Sequence, residues 1–281
     1  MKKYFKYLKR LFKYGSLAAL LCLIYGFMIE PRLLFLREVS IESANWTGPD
    51  LRIALAADIH IGGLHVDAKR AGLIAQRLSD LNADIILMPG DFVNGHTPYS
   101  HRSPEEIEQI ETGLAALGNM RSHLGTYASL GNHDSWFGKR IVKAGLDRGA
   151  VRVLTNGAYN LDRVCIVGLA DFDTDSPSGD AFNTCHSKSA IITLTHSPDA
   201  LRFVPDDAAL VVAGHTHGGQ VNIPIIGRRV TSTRLGKPYA YGLVYDGERP
   251  VFITAGIGTS ILPARFRAPP EIVLITLKAK P

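Results

Sequence analysis

Short apolar runs, separated by polar or glycine-containing loops, recur along the chain from residue 51 onward. Runs of this length with these flanking residues predict buried strands. The nine predicted strands occupy residues 51–57, 84–88, 126–130, 164–169, 191–195, 209–213, 240–245, 251–254 and 272–277.

Two amphipathic helical patterns lie between the early strands. The first covers residues 67–81, with Asp67 as its N-cap. The second begins at Ser103, where Pro104 and Glu106 complete a capping box. Alternating strands and helices, followed by consecutive strands without long helices, predict two packed mixed β-sheets with helices outside. We therefore expect an α/β fold, a four-layer αββα sandwich, as one domain over residues 51–281.

The first 30 residues carry a different pattern. On a helical wheel, aromatic and leucine side chains fill one half of residues 4–14, and basic side chains fill the other half. The run at 15–29 is uncharged and mostly apolar. It is shorter than the about 20 residues that span a bilayer, although snorkelling of Lys13 would extend its reach. We predict a membrane-anchor helix at 1–30, which would hold the protein on a membrane lipid surface, and a linker at 31–50.

The sequence leaves two questions about this leader open. A cleaved signal peptide has the same basic start and apolar run, but no small-x-small cleavage site follows Ile29. A true span would leave the basic start in the cytoplasm and export the body, whereas a segment that dips into one leaflet would keep the body cytoplasmic. The cysteines do not decide, since Cys165 and Cys185 either pair in an oxidising compartment or remain buried thiols.

The positive net charge of the chain is confined to its N-terminal segment. The 281 residues include 31 basic and 26 acidic side chains, a net charge of +5. Six of the basic residues lie in the first 13 positions, before any acid, which leaves 25 basic and 26 acidic residues in the rest. The body is therefore near neutral, and we expect no nucleic-acid partner. A hydrophobic share of 46% and only three cysteines exclude wholesale disorder and a disulfide-built scaffold.

Five polar clusters follow apolar runs, at the carboxyl ends of predicted strands, which is the edge where α/β sheets bind ligands. Together they contain five of the ten histidines in the chain. The clusters are Asp58-Ile59-His60, Gly90-Asp91, Gly131-Asn132-His133-Asp134, Thr195-His196-Ser197-Pro198 and Gly214-His215-Thr216-His217-Gly218-Gly219-Gln220. One such cluster alone would usually be a turn or a helix cap, but five together indicate a shared site.

The residue types in these clusters are those of a metal site. Alternate residues of an extended segment point the same way, so Asp58 and His60 are able to face one ion. Carboxylate oxygen and imidazole nitrogen together suit Mn, Fe, Zn or Co rather than calcium. No cysteine falls in any cluster, which argues against a structural zinc site with thiolate ligands.

The ordered motifs DxH, GD, GNHD, a solitary H and GHTH resemble those of the calcineurin-like metallophosphoesterases, over residues 51–277. The basic leader, the forms THSPD and GHTHGGQ and the ending RFRAPPEI resemble the membrane-associated bacterial branch of this family. That branch includes phosphodiesterases and enzymes proposed to hydrolyse UDP-2,3-diacylglucosamine in lipid A biosynthesis.

The resemblance implies two divalent metal ions (Mn, Fe, Zn or Co), with manganese a typical choice, and no organic cofactor. Its implied metal ligands are Asp58, His60 and His217 for the first ion, Asn132, His196 and His215 for the second, and Asp91 as a bridge. His133 is the implied catalytic residue that faces the phosphate. Asp134 is grouped with it and is expected to support the site from behind the ligands. Arg265 is a tentative substrate contact, because arginine suits bidentate oxygen recognition; a charged turn is the equal alternative.

The implied function is phosphodiester or pyrophosphate hydrolysis by a metal-bridging hydroxide, at the bacterial inner membrane. The expected substrate is a lipid-linked or nucleotide-linked phosphate ester such as UDP-2,3-diacylglucosamine. The alternatives are a tethered phosphoesterase for soluble nucleotides or phosphoproteins and a non-catalytic metal-binding scaffold. The long polar connections at 93–102 and 171–188 are either a cap on the substrate side or plain surface loops.

Overall fold

The computed structural model describes residues 2–281, as an N-terminal helix followed by two six-stranded sheets. The helices are α1 (Lys2–Ile24), α2 (Ala68–Asp80), α3 (Pro104–Gly118) and α4 (Asn132–Asp147). The strands are β1 (Phe35–Ser43), β2 (Leu51–Leu55), β3 (Ile85–Pro89), β4 (Thr126–Ser129), β5 (Val151–Val153), β6 (Gly157–Asn160), β7 (Val164–Gly168), β8 (Ala190–Thr195), β9 (Leu210–Ala213), β10 (Asn222–Ile223), β11 (Gly227–Arg228), β12 (Gly242–Asp246), β13 (Arg249–Ile253) and β14 (Glu271–Ala279).

Both large sheets are mixed. The first has the order β1-β14-β2-β3-β4-β5, in which only the β14–β2 pair is antiparallel. The second has the order β12-β13-β9-β8-β7-β6, with antiparallel pairs at its two edges and parallel pairs between them. Strands β10 and β11 form a separate hairpin.

The hydrophobic core has three parts, which explain the layers. Apolar side chains of both sheets, such as Ile53, Leu87 and Phe252, are buried between them. Helices α2, α3 and α4 cover the outer face of the first sheet. Residues of two 3₁₀ helices, Gly179–Thr184 and Pro198–Phe203, pack on the outer face of the second sheet. The predicted α/β sandwich is confirmed, and the structure adds that its fourth layer contains short 3₁₀ helices.

The nine predicted strands are present, and both predicted helix starts have the expected caps. The Asp67 carboxylate accepts a hydrogen bond from the amide of Arg70. Ser103 and Glu106 exchange the two hydrogen bonds of a capping box. These are local signals, which the sequence carries by itself.

The predicted linker at 31–50 is corrected by strand β1. Residues 35–43 pair in parallel with β14 along their whole length, from Phe35 opposite Glu271 to Ser43 opposite Ala279. Strand β1 lies at the edge of the sheet and much of it is exposed, so it lacks the apolar run of a buried strand. Helix α4 was not predicted either, because Gly138, with φ of 149°, interrupts its regular pattern.

The N-terminal helix runs on without a break in helical structure beyond Ile24. A π-helical turn at Tyr25–Ile29 and a 3₁₀ turn at Glu30–Arg32 follow α1. By length and composition alone, the stretch Lys3–Arg32 is able to cross a membrane, and most of its side chains are exposed. It is therefore a candidate anchor, as predicted.

The end of this helical stretch is docked on the body. The buried Glu30 carboxylate accepts hydrogen bonds from the backbone amides of Arg267 (2.9 Å) and Ala268 (2.7 Å). The amide of Arg265 donates to the carbonyl oxygen of Gly26, at 2.9 Å. The end of the candidate anchor is thus hydrogen-bonded to the segment that precedes β14.

Cys165 and Cys185 form a disulfide, which settles a point that the sequence left open. Cys165 lies in β7 and Cys185 follows the 3₁₀ helix at Gly179–Thr184, with their Cα atoms 5.6 Å apart. The bond ties the outer layer to the second sheet. Cys22, in α1, is free and exposed.

We predict that replacing both disulfide partners with serine lowers the free energy of unfolding by about 3 kcal/mol, the value for closing a loop of this size. Thermal unfolding of the full chain in detergent checks this, with Cys22→Ser as the control that keeps the bond. Unchanged stability in the double variant, together with alkylation of all three cysteines of the parent without a reductant, would contradict the pairing.

Candidate metal centre

The five polar clusters meet where the carboxyl ends of strands from both sheets come together. Strands β2, β3 and β4 of the first sheet and β8 and β9 of the second end directly before them. Most of the cluster side chains are buried. Six non-glycine residues of the clusters have φ between 51° and 69°: Asp58, His60, Asp91, His215, His217 and Gln220. Such values are uncommon outside glycine and concentrate at functional sites.

One group of donor atoms comes from Asp58, His60 and His217, whose nearest ligand atoms all lie within 4.8 Å of one another. The Nε2 atoms of the two histidines are 3.1 Å apart. His217 Nε2 is 3.7 Å from Asp58 Oδ1. The Asp58 carboxylate also accepts a hydrogen bond from the amide of His215, at 2.9 Å.

A second group comes from Asp91, His196 and His215, within the same limit of 4.8 Å. His196 Nε2 lies 3.1 Å from His215 Nδ1, 3.2 Å from Asp91 Oδ2 and 3.1 Å from Asn132 Oδ1. Asp91 Oδ2 is also 3.6 Å from His60 Nε2 in the first group. One carboxylate therefore lies next to both groups, and the structure brings all seven predicted metal ligands together.

Two glycines make this close approach possible. A Cβ atom at Gly131 would lie 2.2 Å from Asp91 Oδ1, and one at Gly214 would lie 2.7 Å from Asp58 Oδ2. Any side chain at either position would push a carboxylate out of the centre.

The contacts around His196 fit a cation better than hydrogen bonds alone. His196 Nδ1 lies 2.8 Å from the carbonyl oxygen of Pro89, which only accepts, so Nδ1 carries a proton. In the neutral ring Nε2 is then an acceptor, and it faces the oxygens of Asn132 and Asp91. A second proton on Nε2, or a cation at this point, would satisfy Nε2 and both oxygens together. Imidazole, carboxylate and amide donors suit a divalent transition metal in this place.

Burial keeps most of the imidazoles neutral. It lowers the pKa of His60 to about 3 and the pKa of His133 to about 4, although the charge of Asp91 opposes both shifts. Burial also lowers the pKa of His217 and the pKa of His215. The neutral ring is the form that binds a metal ion.

The two carboxylates of the centre differ. Burial raises the pKa of Asp58 to about 7, while the nearby charge of His196 opposes this shift. Burial acts on Asp91 in the same direction, but the charge and hydrogen bond of His196 hold the pKa of Asp91 well below its usual range. Burial would lower the pKa of His196, yet Asp91 and Asp58 raise it. The negative charge of Asp91 therefore favours a positive charge beside it, on His196 or on a bound cation.

His133 stands at the start of α4 with its ring beside the centre. Its amide donates to Asp91 Oδ1 at 2.9 Å, and its Nδ1 accepts from the amide of Gly95 at 3.3 Å. In the neutral ring the proton is then on Nε2, which lies 3.3 Å from Ser260 Oγ. His133 thus presents an N–H donor beside the first group of ligand atoms. Its ring contacts the ring of His60, which belongs to that group.

Asp134, which the sequence grouped with the catalytic residues as a support behind the ligands, binds backbone amides. Its fully buried carboxylate accepts four backbone hydrogen bonds, at 2.8 to 3.1 Å, from the amides of Asp91, Phe92, Val93 and Gly131. It fixes the loop after β3 to the start of α4 and has no oxygen left to meet a substrate. Asp134 is therefore a positioning residue.

Arg265 is also corrected as a substrate contact. Its side chain is fully buried and donates to the carbonyl oxygens of Gly258, Ala268 and Ala255. Its nearest approach to the centre is 3.4 Å, between Nη2 and His217 Nδ1. The guanidinium supports the backbone behind His217, because arginine is buried only when its donors are satisfied.

Sequence patterns missed four residues around the centre. Asp173 Oδ2 lies 3.4 Å from His215 Nε2, and the rings of His96 and Trp136 lie 4.6 and 4.8 Å from the His133 ring. Ser260 is the fourth. Asp173 and His96 belong to the two long polar connections, so loop length was a signal for them. The sequence gives no signal for Trp136 and Ser260, because no motif includes them.

The comparisons with known proteins agree with this chemistry. Residues 51–219, more than half of the chain, match the family model described as calcineurin-like phosphoesterase. The chain is 27% identical over 267 residues to the uncharacterized metallophosphoesterase YkuE of Bacillus subtilis, covering 91% of this chain and 89% of that protein. It is 26% identical over 262 residues to a protein of Danio rerio named transmembrane protein with metallophosphoesterase domain, covering 86% of this chain and 56% of that protein.

A solved structure, described as a dimetal phosphatase from Danio rerio, aligns with 82% of this chain and 99% of that chain, at a TM-score of 0.47 and 13% identity. The family match is the stronger finding, because it covers every motif from Asp58 to His217. The chain belongs to the calcineurin-like phosphoesterases, and it is a metal-dependent hydrolase of phosphate esters whose family uses two divalent metal ions.

Proposed function

We propose that this protein is a membrane-anchored phosphoesterase that hydrolyses phosphodiester or pyrophosphate bonds in lipid-linked substrates. The observation that carries the proposal is the position of Asp91, whose carboxylate lies 3.2 Å from a nitrogen of His196 and 3.6 Å from a nitrogen of His60. One carboxylate beside two groups of donors is the arrangement that a pair of cations requires.

Each group would hold one cation. Asp58, His60 and His217 would bind the first, and Asn132, His196 and His215 would bind the second. Asp91 would contact both. Manganese is the ion we propose, and the same donors also suit Fe, Zn or Co. When bound, two such cations stabilise charge on the phosphoryl oxygens and lower the pKa of an attacking water.

Side chains behind the ligands orient them. The proton on His196 Nδ1 is directed to the carbonyl oxygen of Pro89, which leaves Nε2 for the centre. The Asp173 carboxylate lies beside Nε2 of His215. It would hold the ring so that Nδ1 faces the metal centre. Carboxylate or carbonyl partners of this kind fix the ring tautomer and raise the basicity of the ligating nitrogen.

His133 would act on the substrate directly. The Gly95 amide donates to Nδ1, so the ring proton is on Nε2, which lies near Ser260 Oγ and would donate to a phosphoryl oxygen or to the leaving oxygen when substrate is bound. A neutral N–H donor that is fixed before the reaction stabilises charge that develops in the transition state. Asp134 supports this geometry, because it holds the Asp91 loop against the start of α4.

We place the catalytic domain outside the cytoplasm. Six basic residues precede the apolar run of the candidate anchor, and the positive-inside rule keeps such a start in the cytoplasm. The Cys165–Cys185 disulfide supports the same orientation, since disulfides persist in oxidising compartments. The expected location is therefore the outer face of the bacterial inner membrane.

This orientation bears on the substrate. An exported, anchored domain meets lipid-linked phosphates in the plane of the membrane, whereas a nucleotide-linked lipid made inside the cell would first have to cross the bilayer. UDP-2,3-diacylglucosamine, the example from lipid A biosynthesis, is therefore the test compound for the opposite orientation. A tethered enzyme for soluble nucleotides or phosphoproteins is the second candidate, because the helical anchor alone would also suit it.

A substrate panel tests the proposal. The full chain, depleted of metal and then reloaded with Mn²⁺, is assayed on a lipid-linked phosphodiester in vesicles, UDP-2,3-diacylglucosamine, a soluble chromogenic diester and mononucleotides. We expect turnover only after reloading and the highest kcat/KM on the lipid-linked diester. A preference for mononucleotides would support the tethered alternative, and absence of hydrolysis of every substrate by the reloaded protein would contradict the proposal.

We predict that Asp91→Asn lowers the content of both metal ions together, since the variant removes the one charge next to both groups. Elemental analysis of the purified full chain gives the stoichiometry. Asp147→Asn, which changes an exposed carboxylate on α4, is the matched control. Loss of only one ion would show that Asp91 belongs to a single site.

His133→Ala is expected to keep the metal content and to lower kcat by about 10²–10³-fold, the effect of removing one preorganised donor. The backbone amide that contacts Asp91 is unchanged in this variant. Kinetics on the chromogenic diester and elemental analysis check the two parts, with the exposed His123→Ala as control. A loss of metal in His133→Ala would make this residue a ligand instead.

A further inference from the structure

A patch of exposed apolar side chains lies next to the metal centre. Five of its members are more than two-fifths exposed, and Ile225, at the tip of the β10–β11 hairpin, is entirely so. We call these residues the apolar rim: Ile225, Ile226, Val230, Ile261 and Leu262. A single exposed apolar residue needs no explanation, but a contiguous group marks a surface that binds something apolar.

The apolar rim is continuous with the catalytic centre. Val230, Ile261 and Leu262 line a cavity of about 320 Å³ together with His215 and His217. The neighbouring Ser260 touches the His133 ring through its hydroxyl. Ile223 of the hairpin lines the same cavity, two positions before Ile225, so the cavity extends from the metal ligands to the hairpin.

The apolar rim is also continuous with the candidate anchor. Phe266, four residues after Leu262, packs against the Tyr25 ring, with centroids 6.1 Å apart. The backbone of Phe266 pairs with Gln220 and Asn222, at the foot of the hairpin. One short segment thus holds the end of the helical anchor on one side and the hairpin on the other.

The hairpin belongs to a stretch of the chain whose charged residues are all basic. Between Asp207 and Asp246 the chain has no acidic residue. The four basic residues of that interval are Arg228, Arg229, Arg234 and Lys237. An apolar tip followed directly by Arg228 and Arg229 suits a surface of anionic lipids. The carboxylate of Asp199 contacts this stretch farther along, at Thr233 and Arg234.

We propose that the apolar rim inserts into the same membrane that holds α1, so that the metal centre opens toward the bilayer surface. The occupant is the lipid bilayer, and the substrates would be amphiphiles whose phosphate enters the centre while their acyl chains stay along Val230 and Ile261. This second part rests on the proposed function. The insertion itself does not, because it follows from the position of the anchor and the exposed side chains.

Depth measurement tests the insertion without any assay of activity. An environment-sensitive fluorophore is attached at Ile225→Cys in a Cys22→Ser background of the full chain, in vesicles of phosphatidylethanolamine and phosphatidylglycerol. We expect quenching by lipids with a quencher on the acyl chain to be several-fold stronger than for the same label at Leu124→Cys. Leu124 is also exposed but precedes β4, at the opposite end of the strands from the centre.

Equal, water-like signals at both positions would overturn the insertion. A second result would also overturn it: the unlabelled Ile225→Cys variant forms dimers cross-linked through the introduced thiols, and the labelled protein shows no quenching by lipid. A second copy of the chain would then cover the apolar rim.

A kinetic comparison tests the substrate part. The double variant Ile225→Asp/Ile226→Asp is expected to lose about tenfold or more in kcat/KM on a lipid-linked diester in vesicles, since removal of two apolar membrane contacts weakens binding by more than about 1.4 kcal/mol. Its kcat/KM on the soluble chromogenic diester should stay that of the parent, as should both values for Leu124→Asp. Equal losses on both substrates, or none on the lipid, would overturn the substrate part. A parent protein that hydrolyses neither substrate would overturn the proposed function and leave the depth result standing.

Discussion

Two carboxylates, Asp58 and Asp91, are fully buried close to each other at the ends of neighbouring strands, and the rest of the site is arranged around their negative charge. An isolated buried carboxylate is strongly disfavoured unless charge or hydrogen bonds compensate it. Here backbone amides supply part of the compensation, from His215 to Asp58 and from His133 to Asp91. The remainder falls to His196, whose pKa is raised by both carboxylates, or to cations that take the place of its second proton. The metal ions are therefore part of what stabilises this edge of the fold, as well as what makes it reactive.

This electrostatic requirement explains why the backbone around the centre is unusual. Asp58, His60 and Asp91 adopt left-handed conformations that cost free energy in residues other than glycine, and His215 and His217 do the same. Such conformations persist only where the surroundings hold them in place. Asp134 provides one such hold, because its carboxylate binds four amides of the loops that carry Asp91 and Asn132. Strands from both sheets contribute ligands, so the packing of one sheet on the other sets the distance between the two groups of donors.

The sequence predicted the parts of this arrangement that depend on local pattern. Apolar runs located the strands, and the polar motifs after them named the donors that the structure brings together. It failed where position depends on distant packing. Strand β1 is an exposed edge strand without an apolar run, and Gly138 hides the regular pattern of α4. Arg265 looked like a phosphate contact because arginine often is one, yet its burial depends on carbonyl groups at 255, 258 and 268, which no spacing rule locates. Asp173 and Trp136 reach the centre from segments whose path is set only by the finished fold.

The strand that replaced the predicted linker bears on function. A flexible linker between anchor and body would let the centre sample many orientations, and substrates dissolved in water would reach it as readily as lipids. Instead, Glu30 is tied to the backbone at 267 and 268, and Phe35 begins a strand that pairs with β14 after only a few further residues. These contacts dock the body directly on the end of the candidate anchor helix. The segment that receives Glu30 also carries Ile261 and Leu262 beside the metal centre, and this connection is what supports the proposal that the substrates are presented by the membrane.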